Sequence, residues 1–402
     1  MYLEKLSLTD FRSYAQVDLT LEPGITVLVG PNGIGKTNLM EAIGYLATLS
    51  SHRVSSDAPL LRFGMDRALV RAKLVRGGQA TVLELEINAS RANRARINRS
   101  NPVRARDILG ICQTVLFAPE DLALVKGDPS HRRRFLDELL VSLVPRHAAT
   151  RSDYDRVLKQ RNALLKSGRS GKFTSAHEAT LDVWDQHMAR AGAELLHARL
   201  EFVERLGPHL KNAYAQLTDG SKEAGACYRS TLQHAGEDDG ATLPGPVAGS
   251  AAAGQAEDLR QLSIGELTDR YVQAFTASRR KELERGISLV GPHRDELELV
   301  LGAAPAKGYA SHGETWSMCL ALRLASYYVM LDDARTGGSA PILILDDVFA
   351  ELDVQRRRKL AVIVSGAEQV LVTAAVEEDI PAELAGRRVK VIPGGIDERE
   401  NR

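Results

Sequence analysis

Gly30-Pro31-Asn32-Gly33-Ile34-Gly35-Lys36-Thr37 satisfies the pattern G-x-x-x-x-G-K-[ST] at every fixed position, and each of those positions has a task on a polyphosphate. The glycines let backbone N–H groups approach phosphate oxygens at a helix N-terminus, Lys36 adds a point charge, and the Thr37 hydroxyl is placed to join the shell of a Mg²⁺ ion. Far downstream, Ile342-Leu343-Ile344-Leu345-Asp346-Asp347 sets two carboxylates after four aliphatic residues. A carboxylate at the end of a buried strand can hold the Mg²⁺ shell, the task expected of Asp346. The next acid can orient or deprotonate a water beside a γ-phosphate, which makes Asp347 the candidate general base. An aliphatic strand ending in acids is common by itself; paired with the glycine loop it predicts a site for ATP and Mg²⁺ with Lys36 and Asp347 as its catalytic groups.

Such a site needs a strand, a loop and a helix in that order. Ile25 to Val29 is short and β-branched, so it reads as a buried strand, and Asn38 to Ile43 restores helical spacing. Upstream, Val17, Leu19 and Leu21 alternate with Asp18, Thr20 and Glu22. Downstream, Ala68 to Val75 and Thr81 to Ile87 flank Gly77-Gly78 as a hairpin, Arg94 to Ile97 alternates again, and Cys112 to Phe117 is expected to close the same lobe. After Asp128-Pro129 the pattern turns helical. Leu181, Trp184, Met188, Ala191, Leu195, Ala198 and Phe202 recur at steps of three and four; this fits either a short intramolecular helical hairpin or an amphipathic helix in a compact bundle. Gly, Pro and small residues between His234 and Ala256 read as a mobile loop, helical sequence resumes from Ile264 to Arg280, and strands return from Ile287. The expected architecture is α/β: a phosphate-loop ATPase head of mixed sheet, flanking helices and an antiparallel β lobe (1–125 and 286–402), with a helical arm inserted at 126–285 and a flexible loop near 234–258.

Composition narrows the class. The 402 residues exceed a usual single core, and 44% hydrophobic with 26% charged residues is ordinary for a globular protein. Fifty-two basic residues balance fifty-two acidic ones, so any nucleic-acid contact must come from a local patch. Cys112, Cys227 and Cys319 are scattered and suggest neither a disulfide framework nor a zinc site. No run of about eighteen apolar residues occurs, and a cytoplasmic location is expected.

Ser311-His312-Gly313-Glu314 opens a helix just before the second motif. Ser-x-x-Glu is a plain capping box, yet a Ser-x-Gly helix start at this place is also how ABC ATPases present donors to the γ-phosphate of a second protomer. On the second reading Ser311, Gly313 and Glu314 bind nucleotide across a dimer. Phe349 to Asp353 resembles the D-loop of that class, and Gln369 to Thr373 reads as the final core strand. At its end, where many ABC ATPases carry histidine, stands Thr373 or Ala374, so slow hydrolysis is expected. Gln113 is a weak candidate for a Q-loop ligand.

Taken together the motifs resemble the bacterial RecF recombination and repair proteins, relatives of the SMC-type ABC ATPases. The resemblance rests on Asp10-Phe11-Arg12-Ser13-Tyr14, the phosphate loop, Phe117 to Leu122, Lys126 to Pro129 with Arg132 to Asp137, Gly291-Pro292-His293-Arg294-Asp295, and Leu345 to Asp353. It implies an ATPase that dimerises on ATP, binds gapped or junction DNA and helps load recombinase with RecO- and RecR-type partners, without a membrane. It also implies that Arg12 lies near the nucleotide. His312 departs from the family, where Gln or Arg is more familiar. Three arginine clusters are candidate DNA contacts: Arg91, Arg94, Arg96, Arg99, Arg104 and Arg106; Arg132 to Arg134; and Arg356 to Arg358. His293-Arg294-Asp295 reads as a structural or interface turn. The alternatives are the ATPase subunit of a membrane transporter, and an SMC-like DNA tether in which ATP only gates assembly.

Overall fold

The structure, a computed structural model, describes residues 1–168, 174–220, 222–234 and 258–397; residues 235–257 of the expected Gly/Pro-rich loop lie outside them. The chain divides into two compact units: Met1–Leu122, Asn212–Ser221 and Trp316–Arg402 form the first, Ala123–Lys211 and Lys222–Thr315 the second. The second unit thus runs on past residue 286, where the sequence reading returns to the head.

Two six-stranded sheets build the first unit. One is antiparallel, in the order Tyr14–Thr20, Tyr2–Phe11, Arg67–Arg76, Gln79–Asn88, Arg94–Ile97, Val103–Arg104. One of its faces meets water, so its strands alternate: Ala68, Val70, Ala72 and Leu74 are buried, while Arg67, Leu69, Arg71, Lys73 and Val75 on the other face are less so. The other sheet runs Gly395–Asp397, Arg387–Ile392, Gly24–Val29, Gln369–Ala374, Ile342–Leu345, Thr114–Phe117, with parallel pairing except at the Gly395 end. Ile342–Leu345 and Gln369–Ala374 are buried throughout; the first is an unbroken apolar run, and the second buries Gln369 and Thr373 at either side of an apolar centre. The phosphate-loop helix Lys36–Thr48 is buried along most of its length: Leu39, Met40, Ile43 and Leu46 share one core with Leu6 and Leu8 of the first sheet and Ile342 and Leu371 of the second.

Two strands depart from the sequence expectation. Thr114–Phe117 does not close the antiparallel lobe; it pairs in parallel with Ile342–Leu345, because its short apolar run suits a parallel sheet as well as a lobe edge. Gln369–Ala374 is not the last core strand either. Arg387–Ile392 follows it and flanks the phosphate-loop strand, its Val389 and Val391 buried between charged residues.

The second unit holds helices Pro129–Leu143, His147–Ser167, Ile264–Arg285 and most of Ser175–Leu217, with a three-stranded sheet of Ala304–Pro305, Glu296–Leu301 and Ala224–Arg229. Along the long helix Leu181, Met188, Leu195, Ala198 and Phe202 are buried, but so are Ala189, Ala193, Leu196 and Val203. That stripe is wider than a coiled-coil seam and belongs to a compact bundle. Charges are buried with their partners. Asp295 accepts the Thr231 backbone N–H at 2.7 Å, the Thr231 hydroxyl at 2.8 Å and the Tyr228 hydroxyl at 3.0 Å. Arg199 donates to Pro292 O at 2.7 Å, and the Tyr154 hydroxyl meets His293 Nδ1 at 2.7 Å. Gly291 has φ +135°, and a Cβ there would lie 2.4 Å from the Tyr154 oxygen, so glycine is required on both counts. The turn Gly291 to Asp295 is a packed polar knot, its histidine pushed down to about 3 by burial. Among the described residues no helix is long and apolar enough to cross a membrane.

Candidate functional site

Parallel pairing of Gly24–Val29, Gln369–Ala374 and Ile342–Leu345 brings their C-terminal ends to one edge, where open α/β sheets place ligands. The glycine loop leaves that edge and enters helix Lys36–Thr48. Gly35 has φ +122°, and a Cβ there would sit 2.6 Å from the Tyr14 hydroxyl; no other residue lets the loop turn this close to its neighbour. Lys36 Nζ donates to Gly30 O at 2.7 Å and Pro31 O at 3.2 Å, which holds its ammonium over the loop.

Across the edge the two motifs meet. The Thr37 hydroxyl donates to Asp346 Oδ1 at 3.2 Å, and the Thr373 hydroxyl donates to the same oxygen at 2.7 Å. Thr373 Oγ1 in turn accepts the Asp347 backbone N–H at 2.8 Å. Asp347 is left-handed, φ +51°, a conformation uncommon outside glycine and held here by that bond. Its carboxylate borders a cleft of about 280 Å³ lined also by Asn32, Pro119, Glu351, Thr373 and Asp379. Thr37, Asp346, Asp347 and the loop are therefore one constellation, joined by Thr373.

Burial pushes the Asp346 carboxyl up to about 7; the charges of Asp347 and Glu120 add to this, and the hydrogen bonds from Thr373 and Thr37 oppose it. An acid whose folded pKa exceeds its unfolded one binds more protons when folded, so its stability contribution is present below about 4 and lost as pH rises through about 7. Asp346→Asn is accordingly expected to flatten the loss of metal-free stability between those limits, a slope of roughly 1 kcal/mol per pH unit. Urea titrations at several pH values, without nucleotide or divalent ions, would show equal slopes for variant and wild type if the carboxyl were not held this way.

Arg12 lies at the tip of the Tyr2–Phe11/Tyr14–Thr20 hairpin, also left-handed at φ +52°. Its guanidinium grips Glu41 on the loop helix at 2.8 and 2.6 Å, and Asn38 reaches Ser13 at 2.9 Å. Glu41 is fully buried, which would raise its pKa, but hydrogen bonds from Arg12 and Ser51 and the charges of Arg12 and Arg53 bring it below the ordinary value. Arg12 thus stands beside the loop helix, fixed by a residue that sequence reading missed; the lone acid within Leu39-Met40-Glu41-Ala42-Ile43 was its signal. In sequence Thr373 shows only the absence of a histidine, since its place opposite Asp346 depends on strand register.

Ser311, Gly313 and Glu314 belong to the second unit. There Glu314 accepts the Ser311 backbone N–H at 2.8 Å, its own N–H donates to Ser311 Oγ at 3.3 Å, and Lys222 Nζ donates to Glu314 Oε1 at 2.6 Å. The capping box is formed in the single chain, and the Glu314 carboxyl is drawn down to about 2, chiefly by the Lys222 bond. Gln113 precedes strand Thr114–Phe117 and accepts the Ile342 N–H at 2.9 Å; it sits at the strand's opposite end from the site and is no Q-loop ligand.

The RecF/RecN/SMC N terminal domain family matches residues 2–391. A protein of Arthrobacter sp. (strain FB24), "DNA replication and repair protein RecF", is 87% identical over 402 residues, all of both chains. The chain belongs to the RecF family of DNA replication and repair proteins. This RecF-family chain has the same fold as a solved structure of the recombination mediator protein RecF-ATPrS in the RecFOR pathway: TM-score 0.83, 24% identity, covering 98% of this chain and 97% of that one. A Pyrococcus furiosus Smc head domain with an extended coiled coil, bound to the C-terminal domain of ScpA, aligns at TM-score 0.51 and 16% identity over 98% of this chain and 95% of that one. The ABC-type head expected from the motifs is the fold observed, and RecF membership sets the transporter reading aside.

Proposed function

We propose that this RecF-family chain binds ATP with Mg²⁺ at the phosphate-loop edge, hydrolyses it slowly, and uses ATP to join two copies on gapped or junction DNA. There, in the cytoplasm, it assists recombinase loading together with RecO- and RecR-type mediators. One observation carries the reading: the hydrogen-bonded chain from Thr37 through Asp346 and Thr373 to the Asp347 amide, set at the mouth of the glycine loop. A buried carboxylate oxygen beside a threonine hydroxyl is the oxygen donor set a hard divalent cation accepts. The ATPrS-bound relative of the same fold supports the choice of nucleotide.

In this reading the backbone of Gly30, Pro31, Asn32, Gly33, Ile34 and Gly35 cradles the phosphates, while Lys36 leaves its carbonyls for the β- and γ-phosphate oxygens. Thr37 and Asp346 hold Mg²⁺, which when bound neutralises charge on the phosphates. Asp347 receives the proton of the attacking water. Arg12, held by Glu41, faces the nucleotide from the hairpin tip. Ser311, Gly313 and Glu314 serve the ATP of a second copy, for which Glu314 exchanges its Lys222 contact. A threonine at the end of Gln369–Ala374 offers no cation to the γ-phosphate, consistent with slow turnover.

Sedimentation of the protein with gapped duplex DNA tests this. ATP·Mg²⁺ is expected to bring two copies onto the DNA, and Lys36→Ala to sediment as wild type does without nucleotide. Assembly indifferent to ATP would overturn the reading.

A further inference from the structure

We propose that the free edge of the antiparallel sheet, strands Arg94–Ile97 and Val103–Arg104 with their flanking turns, grips the DNA phosphodiester backbone through Arg94, Arg99, Arg104 and Arg106. The proposal rests on the DNA-binding reading above and assigns it a surface. Residues 91–106 contain six arginines and no acidic residue, in a chain whose charges balance overall. Arg94 and Arg104 are direct cross-strand partners. Both are exposed, since Ala95 takes the inward position. Like charges set opposite each other weaken a sheet. Glu86 stands across from Arg94 on the neighbouring strand but pairs with Arg91 at 2.8 Å, and Arg96 lies 4.0 Å from Glu84; among the described residues no carboxylate forms an ion pair with the side chain of Arg94, Arg99, Arg104 or Arg106. Asp107, the nearest acid in sequence, accepts the Arg104 backbone N–H at 3.1 Å.

The other two clusters are engaged within the chain at every arginine but the exposed Arg358. Arg132 forks onto Glu296 at 2.7 and 2.8 Å, Arg133 donates to Asp295 O at 2.8 Å, and Arg134 pairs with Glu138 at 2.7 Å. Arg356 is held by Asp353 and Ser317, and Arg357 donates to Leu352 O at 2.7 Å. Protecting an edge from unwanted strand pairing calls for a charge or two of either sign, not a same-sign array. Arg94 and Arg96 stand roughly 7 Å apart along one strand, and Arg104 opposite Arg94 extends them into a grid. An extended polyanion suits a grid, and a DNA duplex presents about one negative charge per 1.7 Å of its axis. No aromatic residue occurs in 91–106, so the contact is to backbone and indifferent to sequence.

The test is equilibrium binding of the full chain to gapped duplex between about 50 and 200 mM salt. Arg94→Gln/Arg104→Gln and Arg99→Gln/Arg106→Gln are compared with Arg156→Gln/Arg280→Gln, which removes equal charge from exposed positions of the second unit. Each edge pair is expected to weaken binding at least about tenfold at low salt and to reduce the slope of log K against log salt by about 2. ATP affinity should be unchanged, Tm should be unchanged or slightly raised as the Arg94–Arg104 repulsion is relieved, and the control should match wild type in binding. Edge variants that bind as wild type does would overturn the assignment and leave the edge to an acidic protein surface. Failure of wild type itself to bind DNA would instead remove the reading on which the proposal rests.

Discussion

Asp347→Asn is expected to lower ATP turnover by roughly 10²- to 10³-fold while leaving ATP affinity within a few-fold of wild type. Asparagine keeps the shape and the backbone N–H that Thr373 accepts, but it cannot take a proton from water. Asp347 lines the cleft, whereas Asp346 is buried with its Oδ1 engaged by two hydroxyls, which is why the former is the one proposed as base. Thr373→Val separates orientation from proton transfer. Losing the hydroxyl frees the Asp347 amide and one Asp346 contact, for a loss of about tenfold in kcat, and Thr373→Ser should restore it. Single-turnover rates with saturating ATP·Mg²⁺, alongside nucleotide affinity, check both variants. Turnover unchanged in Asp347→Asn would mean that another group activates the water and that the tether reading, with ATP gating assembly alone, gains ground.

What could be read ahead of the structure follows from how far apart the cooperating residues lie. The phosphate loop is contiguous, and its strand and helix declare themselves within a few residues on either side. The hairpin about Gly77-Gly78 is equally local; its register pairs Arg76 with Gln79 across the two glycines. Thr114–Phe117 and Gln369–Ala374 were recognisable as strands, but which sheet the first joins, and that a further strand follows the second, depends on pairings between distant segments. Thr373 acquires its partners through the same register. The three arginine clusters looked alike in sequence because the groups that engage Arg132 and Arg133, the Glu296 carboxylate and the Asp295 carbonyl, lie more than one hundred and sixty positions away. Ser311 to Glu314 remain a capping box within one chain, and their proposed second role needs a second copy.

Arg161→Ala is expected to destabilise the second unit by about 3–5 kcal/mol. The guanidinium is fully buried and uses all three nitrogens: Nε donates to Asp185 at 2.6 Å, Nη2 to Glu282 at 2.6 Å, and Nη1 to Ser288 Oγ at 2.7 Å, while its carbon sits 4.9 Å from the centre of the Phe275 ring. Removing it strands Glu282, also fully buried, and forces Asp185 to rely on Arg279 at 2.6 Å. Lysine is a poor substitute, because one ammonium cannot reach three acceptors in the plane a guanidinium spans. The bonds tie together helices His147–Ser167, Ser175–Leu217 and Ile264–Arg285 and the segment beginning at Ser288. If the cost of Arg161→Ala lies in the stranded acids, then adding Glu282→Gln and Asp185→Asn should recover much of the lost stability; if it lies in lost packing, the triple variant should be no better than the single one. Urea unfolding followed through Trp184, with Trp316 replaced by phenylalanine so that one tryptophan reports, distinguishes the two. Recovery would show that these charges specify how the helices meet more than they stabilise the unit, since a buried ion pair contributes little net stability beyond what an apolar replacement of the same volume would give.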